Sequence, residues 1–89
     1  LRDATFYYEE RQKNLGADFY ARVRETIESI AQGPLRFPVY EGKRLGRELR
    51  RALVPRFPYI VVYQVREDET LIVAVAHTSR EPGYWEGRQ

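Results

Sequence analysis

Residues 59–76 read YIVVYQVREDETLIVAVA, two apolar runs separated by an acidic triplet at residues 67–69. Runs rich in β-branched and aromatic residues are typical of strands, and a short polar connection between two of them is typical of a turn. The pattern therefore predicts an antiparallel hairpin. Its first strand is apolar on both faces, because Ile60 and Val62 alternate with Tyr59, Val61, Tyr63 and Val65. A strand of this kind needs cover on both faces.

The N-terminal third of the chain predicts cover for one of those faces. No proline occurs before Pro34, and apolar residues recur at steps of three and four, the spacing of one helical face. The clearest set is Leu15, Phe19, Val23, Ile27 and Ile30. A break at Asn14-Leu15-Gly16 separates this helix from an earlier one, and Gly33-Pro34 should end it. Residues 1–32 are thus predicted to form a helical hairpin.

The residues between the helices and the strand hairpin divide into a connection and one more strand. Residues 33–46 hold three of the six glycines and two of the five prolines, which predicts an irregular surface connection. Residues 49–54 predict a strand, and Pro55 and Pro58 then allow only an irregular bridge. The predicted fold is α+β, with the helical hairpin packed on a small antiparallel sheet over residues 47–77.

Length and composition bound the architecture further. Residues 1–89 are predicted to form a single domain, with residues 78–89 as a C-terminal tail. The helices can cover one face of the sheet, so the other face is expected to need the tail, through Tyr84 and Trp85, or a partner polypeptide. The chain has no cysteine and no apolar run long enough to span a membrane, which favours a cytoplasmic protein without disulfides.

The polar side chains argue against most catalytic chemistry. A metal site is not expected and no cofactor is predicted, because a site needs three or four ligands and the chain has one histidine and scattered carboxylates. His77 and Ser79 stand two residues apart, but no carboxylate or oxyanion hole accompanies them to complete a serine triad. Gly42-Lys43-Arg44 lacks the spacing and the hydroxyl group of a phosphate-binding loop.

Positive charge is concentrated in the middle of the chain. Residues 43–56 contain six basic residues and one acid, although the net charge of the whole chain is only +2. Such a segment would attract phosphate or an acidic peptide, whereas the plain alternative is a solvated edge strand whose charges discourage aggregation. The candidate binding residues are Arg47, Arg50, Arg51, Arg56 and, in the tail, Trp85, which could instead plug the open end of the core.

A second candidate group follows the last predicted strand. His77 precedes a segment that brings Arg80, Tyr84 and Trp85 together within nine residues. Aromatic rings can stack a base, and a guanidinium or imidazolium can hold a phosphate. We expect folding to gather this group and the arginines of residues 43–56 into one outward-facing neighbourhood.

Three stretches of this sequence carry a resemblance to a known family. They are RFPYIVVY at residues 56–63, VAVAH at residues 73–77 and REPGYW at residues 80–85, preceded by the helical hairpin. Together they resemble the RelE/ParE toxin superfamily of type II toxin-antitoxin modules, also known from plasmid stabilisation. The resemblance implies a growth-inhibiting toxin whose cognate antitoxin wraps it with a segment that folds on binding, which would cover the open sheet face. Members usually carry a strand before the first helix, so an upstream segment is expected.

The resemblance leaves the target of the toxin open. One branch of the superfamily cleaves messenger RNA in the ribosome without a metal, and its catalytic residues would correspond here to Arg51, His77, Arg80 and Tyr84. Two positions depart from that pattern, because Leu53 and Ile60 stand where the nucleases carry basic residues. The loss of one preorganised donor typically costs about 10²–10³ in rate.

These departures favour the other branch, which is directed against DNA gyrase, or another non-nuclease action. If the chain is an enzyme, it is a metal-independent endoribonuclease. A third alternative is a non-toxic interaction module of the same fold. The expected partners are a cognate antitoxin and either gyrase or the ribosome with its mRNA, with no membrane and no metal.

Overall fold

The computed structural model describes residues 2–44 and 47–79, in which two helices precede a four-stranded sheet. The elements are α1 (Arg2–Arg11), α2 (Leu15–Gln32), a short 3-10 helix (Pro34–Arg36), β1 (Val39–Arg44), β2 (Arg47–Leu53), β3 (Tyr59–Val65) and β4 (Thr70–His77). The strands lie in the order β1-β2-β3-β4, and each neighbouring pair is antiparallel. The predicted α+β fold, its helical hairpin and its strand hairpin are confirmed.

The strand β1 corrects the prediction of an irregular connection over residues 33–46. It pairs with β2, with Tyr40 opposite Leu49, so the sheet begins at Val39. Glycine and proline disfavour a strand locally, but pairing with β2 satisfies the backbone N–H and C=O groups. A shift in register between Tyr40 and Lys43 accommodates the glycine that lies between them.

The two helices are joined by a tight connection that uses a carboxylate of α1. The two carboxylate oxygens of Glu9 accept hydrogen bonds from the backbone N–H groups of Asn14 at 2.9 Å and Gly16 at 3.1 Å. Asn14 has a φ of 72°, in the left-handed region that asparagine tolerates better than most residues. Glu9 thus satisfies donors at the start of α2 that have no partner within that helix.

The main core lies between α2 and the sheet. Phe19, Val23 and Ile30 of α2 are each at most 1% exposed and lie on the predicted helical face. They pack against buried residues of the sheet and the bridge after β2, namely Ala52, Val54, Val61 and Tyr63. This burial is the main source of stability, because about 25 cal/mol is gained for each Å² of apolar surface removed from water.

The sheet face that points away from the helices, called the far face here, also carries buried apolar residues. They are Tyr40, Leu49, Ile60, Val62 and Ala76. Ile60 and Val62 therefore lie on one face of β3 and Val61 and Tyr63 on the other, as the two-sided pattern predicted.

The hairpin of β3 and β4 contains one extra residue on β4. On β3, Tyr63 pairs with Ile72 and the residue before it, Val62, pairs with Ala74. Val73 therefore has no partner of its own on β3. Successive side chains of a strand point to opposite faces, so one unmatched residue exchanges the faces of every β4 residue that follows it. This bulge decides which face the end of β4 presents.

A buried hydrogen bond joins β3 to the 3-10 helix. The hydroxyl group of Tyr63 donates to the backbone carbonyl of Pro34, and the Tyr63 side chain is fully buried. We expect Tyr63→Phe to lower the free energy of unfolding by about 1–2 kcal/mol, because it leaves a carbonyl without its partner. Chemical denaturation would measure this, with Tyr7→Phe as the control because Tyr7 is 50% exposed. An equal effect of the two substitutions would contradict the assignment.

The same hydroxyl makes stability depend on pH in the alkaline range. Burial raises the pKa of Tyr63 above its ordinary value of 10.0, against the lowering effect of the Arg50 and Arg36 guanidinium groups. The unfolded chain therefore loses this proton first, so the stabilisation present below about pH 10 is lost as the pH rises through the native pKa. Burial also raises the pKa of Tyr8. Above pH 10 the stability of Tyr63→Phe should accordingly fall less steeply than that of the parent chain, but not become flat.

Candidate functional site

The arginines of β2 are divided between the two faces of the sheet. Arg47, Leu49 and Arg51 alternate onto the far face, where Leu49 belongs to the buried apolar cluster. Arg50 lies on the helix side with Ala52, which is part of the main core. The expected single neighbourhood of arginines is therefore wrong for this strand.

The guanidinium of Arg50 contacts two groups of the same chain. Its Nη1 donates to the carbonyl of Phe37 at 2.7 Å, and its Nη2 lies 3.5 Å from a carboxylate oxygen of Glu48. A guanidinium held in this way ties β2 to the segment before β1. We assign Arg50 a structural role on these contacts.

The side chain of Arg51 is anchored to β1 by a hydrogen bond. Its Nη1 donates to the Val39 carbonyl at 3.0 Å, and its cross-strand neighbour is the buried Val62. A guanidinium has five N–H donors in a fixed plane. One anchored nitrogen thus leaves the remaining donors of Arg51 oriented at the edge of the apolar cluster of the far face, on the same side as the exposed Arg47.

Arg56 lies in the bridge between β2 and β3, where it is exposed. Its φ of 73° is in the left-handed region, which is strained for a residue with a long side chain. A substitution at Arg56 therefore changes backbone strain as well as charge. This makes Arg51 the cleaner probe of a cationic surface.

The two positions that depart from the nuclease pattern differ in environment. Ile60 is only 7% exposed and packs within the far-face cluster, whereas Leu53 at the end of β2 is 70% exposed. An apolar side chain packed at position 60 offers no donor for a phosphate. Around position 60 the far face thus presents Arg51 next to hydrocarbon rather than next to a second cation.

His77 lies on the helix side of the sheet, because the bulge at Val73 brings it opposite Tyr59. The two rings meet edge to face with centroids 5.1 Å apart. If the same sequence paired without the bulge, Ala76 would stand opposite Tyr59 and His77 would lie on the far face with Arg51. The structure therefore does not bring His77 and Arg51 together.

The imidazole of His77 has one nitrogen engaged. The backbone N–H of Ser79 donates to Nδ1 at 3.1 Å, and the Ser79 hydroxyl oxygen lies 2.7 Å from the same atom. Since Nδ1 accepts from the backbone, the neutral ring carries its proton on Nε2. Both the backbone and the side chain of Ser79 thus contact the Nδ1 side of the ring.

A groove of about 470 Å³, called the corner groove here, opens beside the ring of His77. It is lined by Tyr7, Tyr8, Arg11, Leu15, Pro58, Tyr59 and His77. The Arg11 guanidinium lies 4.2 Å from the centroid of the Tyr7 ring, which is cation–π geometry. The sequence analysis did not predict this groove; the available signal was an arginine four residues after a tyrosine, the spacing of helical neighbours.

The remaining predicted site residues, Arg80, Tyr84 and Trp85, lie outside the described residues. In the described part of the chain, no group of three or more histidine or acidic side chains is placed to hold a metal ion. No described helix is both long and apolar enough to cross a membrane.

Comparison with protein families identifies the chain. The family described as "ParE toxin of type II toxin-antitoxin system, parDE" matches residues 1–82. Searches of curated proteins and of solved structures found no significant match. The family match spans both helices, all four strands and the segment that follows β4, so the chain is a member of the ParE toxin family and the toxin half of a type II system, with an antitoxin as its partner.

Proposed function

We propose that this toxin arrests bacterial growth by binding a protein target, with DNA gyrase as that target, and that it does not cut RNA. The observation that carries the proposal is the apolar surrounding of Arg51 on the far face, where Ile60 and Val62 are buried neighbours. Its cognate antitoxin would neutralise it by covering the same face.

Cleavage of RNA needs several groups aimed at one phosphate. Charge that develops in the transition state is stabilised by preorganised donors, and a proton must be moved by an acid or base within hydrogen-bonding reach. Arg51 and His77 lie on opposite faces of the sheet, and no second cation accompanies Arg51 at position 60. This separation supports binding over cleavage.

A binding role suits Arg51 well. Arginine anchors that sit beside buried apolar residues are common hot spots of protein interfaces, because their planar donors pair with carboxylates while the neighbouring hydrocarbon excludes water. The hydrogen bond to the Val39 carbonyl fixes the plane of the guanidinium in advance. Less side-chain entropy is then lost when a carboxylate partner binds.

Two reactions run in parallel test the proposal. Purified toxin is added to a gyrase supercoiling reaction and to a translating ribosome extract. Loss of supercoiling with intact messenger RNA is the expected result. Cuts phased with codons in the extract, with normal supercoiling, would overturn the proposal in favour of the nuclease alternative. No growth arrest on induced expression of soluble protein would favour the non-toxic interaction module.

Arg51→Ala should weaken target binding and growth arrest by about tenfold or more, the loss expected for an interface hot spot. The matched control is Arg24→Ala, because Arg24 is an exposed arginine of α2 on the other side of the molecule. Toxicity is measured as viable count after induction, and thermal unfolding confirms that both variants are folded. Equal toxicity of the Arg51 variant and the parent chain would remove Arg51 from the site.

A further inference from the structure

An apolar groove lies on the outer side of the helical hairpin, remote from the far face. It has a volume of about 590 Å³ and is lined by Arg2, Thr5, Phe6, Glu9 and Tyr20. The rings of Phe6 and Tyr20 are 64% and 48% exposed. Single exposed apolar residues are ordinary, but two exposed aromatic rings that line one groove are typical of an interaction surface. This surface is called the hairpin groove below.

We propose that the hairpin groove binds a second copy of this chain, with the two α1 helices antiparallel about a two-fold axis. Arg2 and Glu9 lie seven residues apart, about two helical turns or 10 Å, at the two ends of the groove. In an antiparallel pair centred between Thr5 and Phe6, each Arg2 faces the Glu9 of the other copy. A two-fold interface requires this self-complementary pattern.

The apolar middle of the groove fits the same arrangement. Near the axis, Phe6 of each copy can insert beside Phe6 and Tyr20 of the other, and aromatic pairs gain from edge-to-face contact beyond the area they bury. A uniformly acidic partner helix would face Glu9, and a uniformly basic one would face Arg2. The charge pattern therefore favours a second copy over a peptide of one sign.

The proposed contact between two copies is compatible with the hydrogen bonds and packing contacts that α1 makes within its own chain. Glu9 already accepts two backbone hydrogen bonds, but a carboxylate has about four acceptor positions, which leaves room for Arg2 of the second copy. Ala4 and Tyr8 pack toward the main core, and Phe6, about 200° around the helix from each, points away from it. Pairing through α1 thus leaves the far face and Arg51 open.

The interface is small, so association should be weak and dependent on concentration. Specific stable interfaces bury about 800 Å² on each partner, which two exposed rings and their neighbours do not reach. Sedimentation equilibrium of the toxin without antitoxin, over about two decades of concentration, should show a monomer–dimer equilibrium. A chain that remains monomeric at the highest concentration overturns the proposal.

Charge reversal separates this interface from nonspecific association. Arg2→Glu places like charges opposite each other at both ends of the groove and should weaken dimerisation by about tenfold or more. Arg47→Glu makes the same change of charge at an exposed position on the far face and should leave the dimer constant unchanged. Equal weakening by both variants would mean that net charge, and not the hairpin groove, controls association.

A cysteine trap tests the geometry directly, since the chain contains no cysteine of its own. Thr5→Cys, placed near the axis, should form a disulfide-linked dimer under mild oxidation, because facing residues at an axis come within disulfide range. Arg47→Cys, on the far face, is the control and should not form the disulfide-linked dimer. Dimerisation without cross-linking through Thr5→Cys would locate the interface elsewhere and overturn the proposal. None of these readouts involves gyrase or ribosomes, so failure here is distinguishable from failure of the proposed function.

Discussion

Phe19→Ala is expected to lower the free energy of unfolding by about 3–5 kcal/mol, the range for removing a buried phenylalanine ring from a core. Phe19 is fully buried, and its ring centroid lies 5.2 Å from that of Tyr8, 5.1 Å from that of Phe57 and 5.0 Å from that of Tyr59. These rings come from α1, the bridge before β3, and β3 itself. Their shared contact with Phe19 holds the helical hairpin to the sheet.

The loss is large relative to the whole molecule. A domain of this size has a total stability of about 4–13 kcal/mol, so the substitution should remove between about a quarter and all of it. Phe19→Leu keeps part of the contact and should remain folded enough to measure. The control is Phe6→Ala at low protein concentration, since Phe6 is 64% exposed and should change stability by less than about 0.5 kcal/mol. Similar losses at Phe6 and Phe19 would contradict the packing described.

Gly16→Ala is expected to destabilise the chain by about 2–3 kcal/mol, although alanine is the better helix former by about 1 kcal/mol. A β-carbon at position 16 would lie 2.4 Å from the carbonyl oxygen of Thr5 and 2.9 Å from the β-carbon of Glu9. The first of these atoms belongs to the backbone of α1, so relief requires the helices to separate. Separation would also stretch the hydrogen bonds that Glu9 accepts from the start of α2.

The neighbouring residue supplies the matched control. Ala17 is exposed, and Ala17→Gly should cost only the propensity difference of about 0.5–1 kcal/mol. Urea denaturation at constant slope gives both values. If Gly16→Ala instead raised stability, the helix propensity of alanine would exceed the cost of the contact with the Thr5 carbonyl. The close approach of α1 and α2 would then be refuted.

The parts of the fold that local pattern specifies were predictable. The helical face of α2 and the two-sided hairpin follow from side-chain periodicity, which burial of Phe19 and Val62 confirms. The strand β1 was not predictable in the same way. Its sequence reads as a loop, and it exists because the backbone of β2 offers a partner, which is a tertiary effect.

The candidate site was predictable in composition but not in placement. Adjacent arginines of a strand must point to opposite faces, which separates Arg50 from Arg51, but only the observed register shows that Arg50 meets the Phe37 carbonyl. The face of His77 depends on the bulge at Val73, for which the valine-rich sequence of β4 carries no distinct mark. Only family recognition, and not the geometry of single residues, could indicate a toxin.

The unmatched Val73 also has a consequence for comparing relatives. A homologue of equal length whose β3 and β4 pair without the bulge would present its terminal imidazole on the opposite face, whereas one that lacks only the unmatched residue would keep the histidine opposite Tyr59. Column-by-column alignment would score the histidines of two such chains of equal length as equivalent although they lie on opposite faces of the sheet. The pairing register of β3 and β4 is therefore the feature to compare first when activities are transferred between members of this family.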